Sequence, residues 1–146
     1  MSKLFNEEML EFNNIKDWKE CVNHGVELLV KNKYATKELA DAIFKSTEQF
    51  GAYYVLEHGL ALLHAAPGPY SLKNGASVMV LNDFVQFNNQ EDKYAKVIIT
   101  LCAVDSHSHL DILQEFAHYF TNEEFKKQLY EAKNIDEVKS LIQKFK

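Results

Sequence analysis

Apolar positions recur at three- and four-residue steps at both ends of the chain and crowd into short unbroken runs in its middle. Over residues 15–31 the stripe is Trp18, Cys21, Val22, Val26 and Leu29, which predicts an amphipathic helix. A second stripe of Leu39, Ile43 and Phe50 predicts a helix over residues 36–50, with Thr36 as its N-cap and Gly51 as its stop. The texture then changes. Tyr53–Leu56, Ala76–Leu81 and Val97–Cys102 are short, rich in β-branched or aromatic residues and bounded by Gly, Asn and Asp, so they read as strands. The run VIITLCAV has no polar alternation and reads as a central strand covered on both faces. Val85–Phe87 reads as an added edge strand, and LALLH is too short for periodicity to separate strand from buried loop.

Helical periodicity returns beyond residue 107. Leu110, Leu113, Phe116, Ala117 and Phe120 share one predicted face. Thr121-Asn-Glu-Glu124 reads as a capping box opening a helix with Phe125 and Leu129 inward. Asn134-Ile-Asp-Glu137 opens a last helix with Val138, Leu141, Ile142 and Phe145 apolar. Two helices, a strand-rich middle and three more helices predict a single α/β or α+β domain over residues 1–146, its helices covering the sheet.

Composition narrows the function. A chain of 146 residues, 47% hydrophobic and 25% charged, is long enough for a full core. Its net charge of −5 argues against nucleic acid or an anionic membrane as partner. All 16 basic residues are lysine, so phosphate recognition must use Lys, His, backbone N–H groups or hydroxyls. Cys21 and Cys102 lack a CxxC spacing and read as buried thiols of a reducing compartment. The acidic, polar-broken N-terminal stretch does not read as a signal peptide, and no apolar run is long enough to span a bilayer; the expectation is a soluble cytoplasmic protein.

The candidate chemistry is histidine. His24 and His118 fall inside helical patterns, whereas His58, His64, His107 and His109 lie where strands give way to loops or helix starts. Taken alone, His64 in its apolar run reads as a core or loop histidine. His109 stands near the start of a helix that follows the VIITLCAV strand, where unpaired N–H groups and partial positive charge suit an anion.

The segments EQFGAYYVLEHGLALLHAAP, SVMVLNDFVQFNN and VIITLCAVDSHSHLDILQEFA together resemble the mannitol/fructose-type enzyme IIA family of the sugar phosphotransferase system, with the ascorbate-like branch nearest in pattern. The resemblance covers most of the chain. It implies a mixed central β-sheet flanked by helices on both faces, with His64 and His109 in one shallow depression. It also implies a relay without a cofactor. The histidine phosphocarrier protein HPr phosphorylates His64, His64 passes the group to a cysteine of enzyme IIB, and His109 steadies the phosphoryl oxygens; a homodimer stays open. The chain departs from the family at Leu63, where proline is common, and at Ala65-Ala66-Pro67, which lacks the usual arginine. His58 stands where the family has proline or another uncharged residue, which makes it either a third phosphate contact or an exposed strand-end residue. Exposed residues near His64, Tyr70 and Leu72 first, are the expected partner surface.

Two other readings compete. A regulatory module on the same fold fits the missing arginine. A metal site built from Asp105, His107 and His109, with His64 or Cys102 approaching, is the weaker one, because zinc sites show tighter ligand sets.

Overall fold

The computed structural model describes residues 2–146. A 3-10 turn at Glu7–Met9 leads into strand β1 (Leu10–Asn13), followed by helices α1 (Trp18–Lys31) and α2 (Glu38–Phe50). Strands β2 (Val55–Glu57), β3 (Gly59–Leu63), β4 (Gly75–Gln86) and β5 (Tyr94–Cys102) come next. Helices α3 (Leu110–Phe120), α4 (Glu123–Glu131) and α5 (Ile135–Lys144) complete the chain. The sheet is five-stranded in the order β1-β4-β5-β3-β2. Its pairing is mixed: β1 runs parallel to β4 and β3 parallel to β5, while β4/β5 and β2/β3 are antiparallel.

The alternation of side chains along the strands explains why helices cover both faces. Met79, Leu81, Ile98 and Cys102 point to the face packed by Cys21, Val22, Val26 and Leu29 of α1 and Leu39 and Ile43 of α2. Val78, Val80, Val97 and Ile99 point to the other, against Ile112, Phe120, Phe125, Leu129 and Val138 of the C-terminal helices. β5 is the central strand, buried on both sides as its unbroken apolar run predicts. LALLH resolves as β3, ending immediately before His64.

Several local expectations are corrected. β1 went unseen in the sequence. The first helix begins at Trp18, capped by the Asp17 carboxylate accepting from the Glu20 N–H at 3.1 Å, rather than at residue 15. Thr36 is not the N-cap of α2: Lys37 holds that place with no side-chain cap. The strand expected at Tyr53–Leu56 is shifted to Val55–Glu57. Val85–Phe87 is no edge strand; Val85 and Gln86 end the long β4 beyond an irregularity after Val80, and they pair with central β5. Thr121 turns back to donate to the Ala117 carbonyl at 2.6 Å, so Asn122 caps α4 instead, accepting from the Phe125 N–H at 3.1 Å. Asn134 caps α5 as expected. Phe50 and Leu110, assigned to inner faces, are 66% and 59% exposed.

Candidate functional site

β3 and β5 are parallel neighbours, with Leu63 beside Thr100, so both strands end on the same edge of the sheet. His64 follows β3 directly. His109 follows β5 by a short loop and occupies the N-cap of α3. The C-terminal ends of parallel strands are where α/β folds gather functional loops.

The half-buried His64 ring is held by its own backbone. Nδ1 lies 2.7 Å from the Leu62 carbonyl oxygen, which can only accept. Nδ1 therefore carries the proton, and in the neutral ring the lone pair is left on Nε2. The Tyr53 ring packs edge-on against it at 5.3 Å, and the Tyr53 hydroxyl donates to the His64 carbonyl at 3.2 Å. Tyr70, half-buried, donates to the Ala66 carbonyl and closes the loop beyond.

His109 is set differently. Its carbonyl accepts from the Ile112 and Leu113 N–H groups, which opens α3, but its side chain makes no cap bond. Among the described residues its Nδ1 is one of three buried side-chain polar atoms without a hydrogen-bond partner. The loop before it is shaped by Asp105, whose carboxylate accepts from the His107 and Ser108 N–H groups at 2.9 and 2.6 Å. Those backbone donors, Ser108 first, hold the Asp105 pKa down at about 2. Asn74, missed in the sequence, reaches this loop from the residue before β4. Its Oδ1 accepts from the Val104 N–H at 2.9 Å and its Nδ2 donates to Ser108 Oγ at 2.8 Å.

The remaining candidates separate. His58 lies at the opposite end of β3 from His64, stacked on Phe84 at 4.8 Å. Six residues of extended chain span roughly 20 Å, so His58 is an exposed strand-end residue and no phosphate contact. His24 pairs with Glu11 at 2.8 Å, and His118 Nε2 lies 2.9 Å from the Phe145 carbonyl oxygen. The metal reading fails: among the described residues no group of three or more His, Cys, Asp or Glu is arranged to hold a metal ion. Cys21 and Cys102 are buried free thiols whose pKa values burial pushes up to about 12, which removes them from thiolate chemistry. A cavity of about 800 Å³ between the N-terminal segment and α5, lined by Phe5, Tyr119 and Ile142, includes neither His64 nor His109.

Residues 3–145 match the family described as the phosphoenolpyruvate-dependent sugar phosphotransferase system, EIIA 2. The chain belongs to this family. The ascorbate-specific EIIA component of Escherichia coli is 32% identical over 86% of this chain and 82% of its own length. The mannitol-specific cryptic enzyme IIA component of Escherichia coli is 31% identical over 97% of each chain. A solution structure of that cryptic enzyme IIA superposes with a TM-score of 0.83 over 97% of this chain and 96% of its own. A complex of the mannitol enzyme IIA with phosphorylated enzyme IIB from Escherichia coli shares the fold at a TM-score of 0.77 and 20% identity, covering 95% of this chain and 96% of that one. This enzyme IIA chain is therefore a component of a sugar phosphotransferase system, and its mixed, doubly covered sheet is the fold the resemblance implied. None of its helices, among the described residues, is long and apolar enough to cross a membrane.

Proposed function

We infer that His64 is the phosphoryl carrier, loaded on Nε2 by phosphorylated HPr and unloaded onto a cysteine of a cognate enzyme IIB. The observation that carries this reading is the 2.7 Å contact of Nδ1 with the Leu62 carbonyl at the end of β3. A histidine nucleophile needs one nitrogen protonated and anchored so that the other presents its lone pair in a fixed direction. In the first step the donor's P–N bond breaks as the P–Nε2 bond forms, and the donor imidazole leaves. In the second the P–Nε2 bond breaks as a P–S bond forms at the acceptor thiolate. Neither step involves oxidation or needs a cofactor. Such transfers are mostly positioning plus charge stabilisation, and in this reading His109, at the positive end of α3, donates to the phosphoryl oxygens.

The surface around the site supports a protein partner. Tyr53, Leu72, Val104 and Leu110 are large apolar residues at least a third exposed. Tyr53 touches His64, Leu72 lies on the connection that begins there, Val104 and Leu110 flank His109 along the chain, and exposed Phe50 packs on Tyr53. The complex of a fold relative with phosphorylated enzyme IIB is consistent with that use. The cytoplasm is the compartment where such carriers work, and ascorbate, a pentitol and a hexitol all remain candidates for the transported sugar.

The test is incubation with enzyme I, HPr and labelled phosphoenolpyruvate. Label is expected on wild type and absent from His64→Ala. The His109→Ala variant should accept label and pass it to enzyme IIB more slowly. No label on wild type would sink the relay and leave the regulatory reading, which the absence of arginine from the chain favours.

A further inference from the structure

No residue of the connection from β3 to β4 (residues 64–74) or of the loop from β5 to α3 (residues 103–109) is fully buried, and only Ala65 and Tyr70, both in the first, pack against the core while partly buried. Hydrogen bonds therefore carry much of their shape. The first connection is sewn to the α1–α2 turn: Thr36 N–H donates to the Tyr70 carbonyl at 2.8 Å, and Leu72 and Lys73 N–H donate to the Tyr34 carbonyl at 2.8 and 3.1 Å. Its last residue, Asn74, then reaches across to the second. The one side-chain amide accepts from the Val104 N–H near the loop's start and donates an N–H to Ser108 Oγ at its end. Ser108 directly precedes His109, and the Asp105 carboxylate binds the Ser108 N–H from inside the same turn.

We propose that Asn74 is a positioning residue for His109, tying the loop that presents it to the connection that begins at His64. An amide suits the role because it offers a donor and an acceptor from one planar group. The role follows from topology as well. Asn74 is the last residue before β4, which pairs with β5 at Gly75 and Cys102, so its own backbone is anchored to the strand from which the His109 loop departs. The inference rests on the relay reading for its functional consequence, while the clamp itself is open to a separate measurement.

Two readouts on the full-length Asn74→Ala variant decide it. In the unphosphorylated protein, the Val104 amide should lose hydrogen-exchange protection and the imidazole nitrogen resonances of His109 should move. Those of His64 and the amides of Ile98 and Thr100 should stay. Unchanged Val104 protection and His109 resonances would overturn the clamp whatever becomes of the relay. In the transfer assay, passage from phospho-His64 to enzyme IIB should slow on the order of tenfold, below the roughly hundredfold attached to a full 1 Å misplacement. In the His109→Ala background the same substitution should add nothing. Losses that multiply would show that Asn74 does not act through His109. Ser108→Ala cuts only one of the two bonds and should shift both readouts in the same direction by less. A relay that fails altogether shows instead as no label on wild type, an outcome the exchange experiment does not share.

Discussion

The two histidines follow adjacent parallel strands, His64 directly and His109 after a loop, and the fold holds them by different means. His64 follows a strand whose Ala61 and Leu63 are wholly buried and whose backbone pairs with β5 up to Leu63 and Thr100. Its ring is pinned through Nδ1. His109 sits on a loop shaped by side-chain hydrogen bonds from Asp105 and Asn74, and its own Nδ1 has no partner. The difference fits the two roles proposed for them. A group that forms and breaks a covalent bond needs its lone pair fixed. A group that donates a hydrogen bond to a passing anion needs its approach set and its ring not committed to another partner.

The largest effect should come from the strand under His64. Leu63→Ala removes a side chain with no exposed surface and should cost about 2–5 kcal/mol of unfolding free energy by denaturant titration. It should also lower labelling of His64, because the strand end it supports carries the Leu62 carbonyl. A loss under about 1 kcal/mol would mean that packing does not anchor His64.

On the other side, Asp105→Ala should leave the melting temperature nearly unchanged, since the carboxylate is exposed. It should slow onward transfer severalfold while uptake by His64 continues. Equal slowing of uptake and onward transfer would erase the contrast between the two halves. The low pKa of Asp105, about 2, fixes the sign of its pH dependence. Folding depresses it, so its contribution is fully present above the ordinary carboxylate value near 3.9 and is lost only as pH falls through about 2. The Asp105 carboxyl carbon resonance should therefore hold steady from pH 7 to pH 4. A midpoint near 4 would show that the Ser108 and His107 N–H groups do not bind it as described.

The same contrast explains what the sequence disclosed. Helices α1 and α2 were legible because Cys21, Val22, Val26 and Leu39, Ile43 repeat at helical steps and do face the sheet. β5 was legible because a strand covered on both faces cannot alternate. β1 was not, because Leu10–Asn13 is four residues long with one buried side chain and becomes a strand only by pairing with β4. Phe50 keeps the stripe's spacing but sits in the last turn of α2, where its ring meets Tyr53 at 6.2 Å instead of the core. Thr121 fits a capping box by type, yet its hydroxyl closes the preceding helix. At the site, the flanks of His64 carried the resemblance to the family to which the chain belongs. The Leu62 contact was not legible, since nothing in the residue type of position 62 reports where its carbonyl points. Asn74 drew no notice, because its partners at Val104 and Ser108 lie about thirty residues away and chain order carries no signal for them.

The smallest effect expected is at Tyr53, and it separates contact from support. The hydroxyl donates to the His64 carbonyl at 3.2 Å from an exposed position, while the ring packs edge-on against the imidazole at 5.3 Å. Tyr53→Phe keeps the ring and removes one solvent-accessible hydrogen bond, worth at most about 1 kcal/mol. If strand and ring bond hold His64, labelling of Tyr53→Phe should stay within about twofold of wild type and the Nδ1-protonated tautomer should persist in its nitrogen spectrum. Tyr53→Ala, which also strips the apolar surface beside the ring, should weaken uptake further without changing the tautomer. A tautomer change in either variant would place the support of His64 in a neighbouring side chain. His64 would then be held as His109 is, and the division between a strand-fixed carrier and a loop-borne donor would no longer describe this protein.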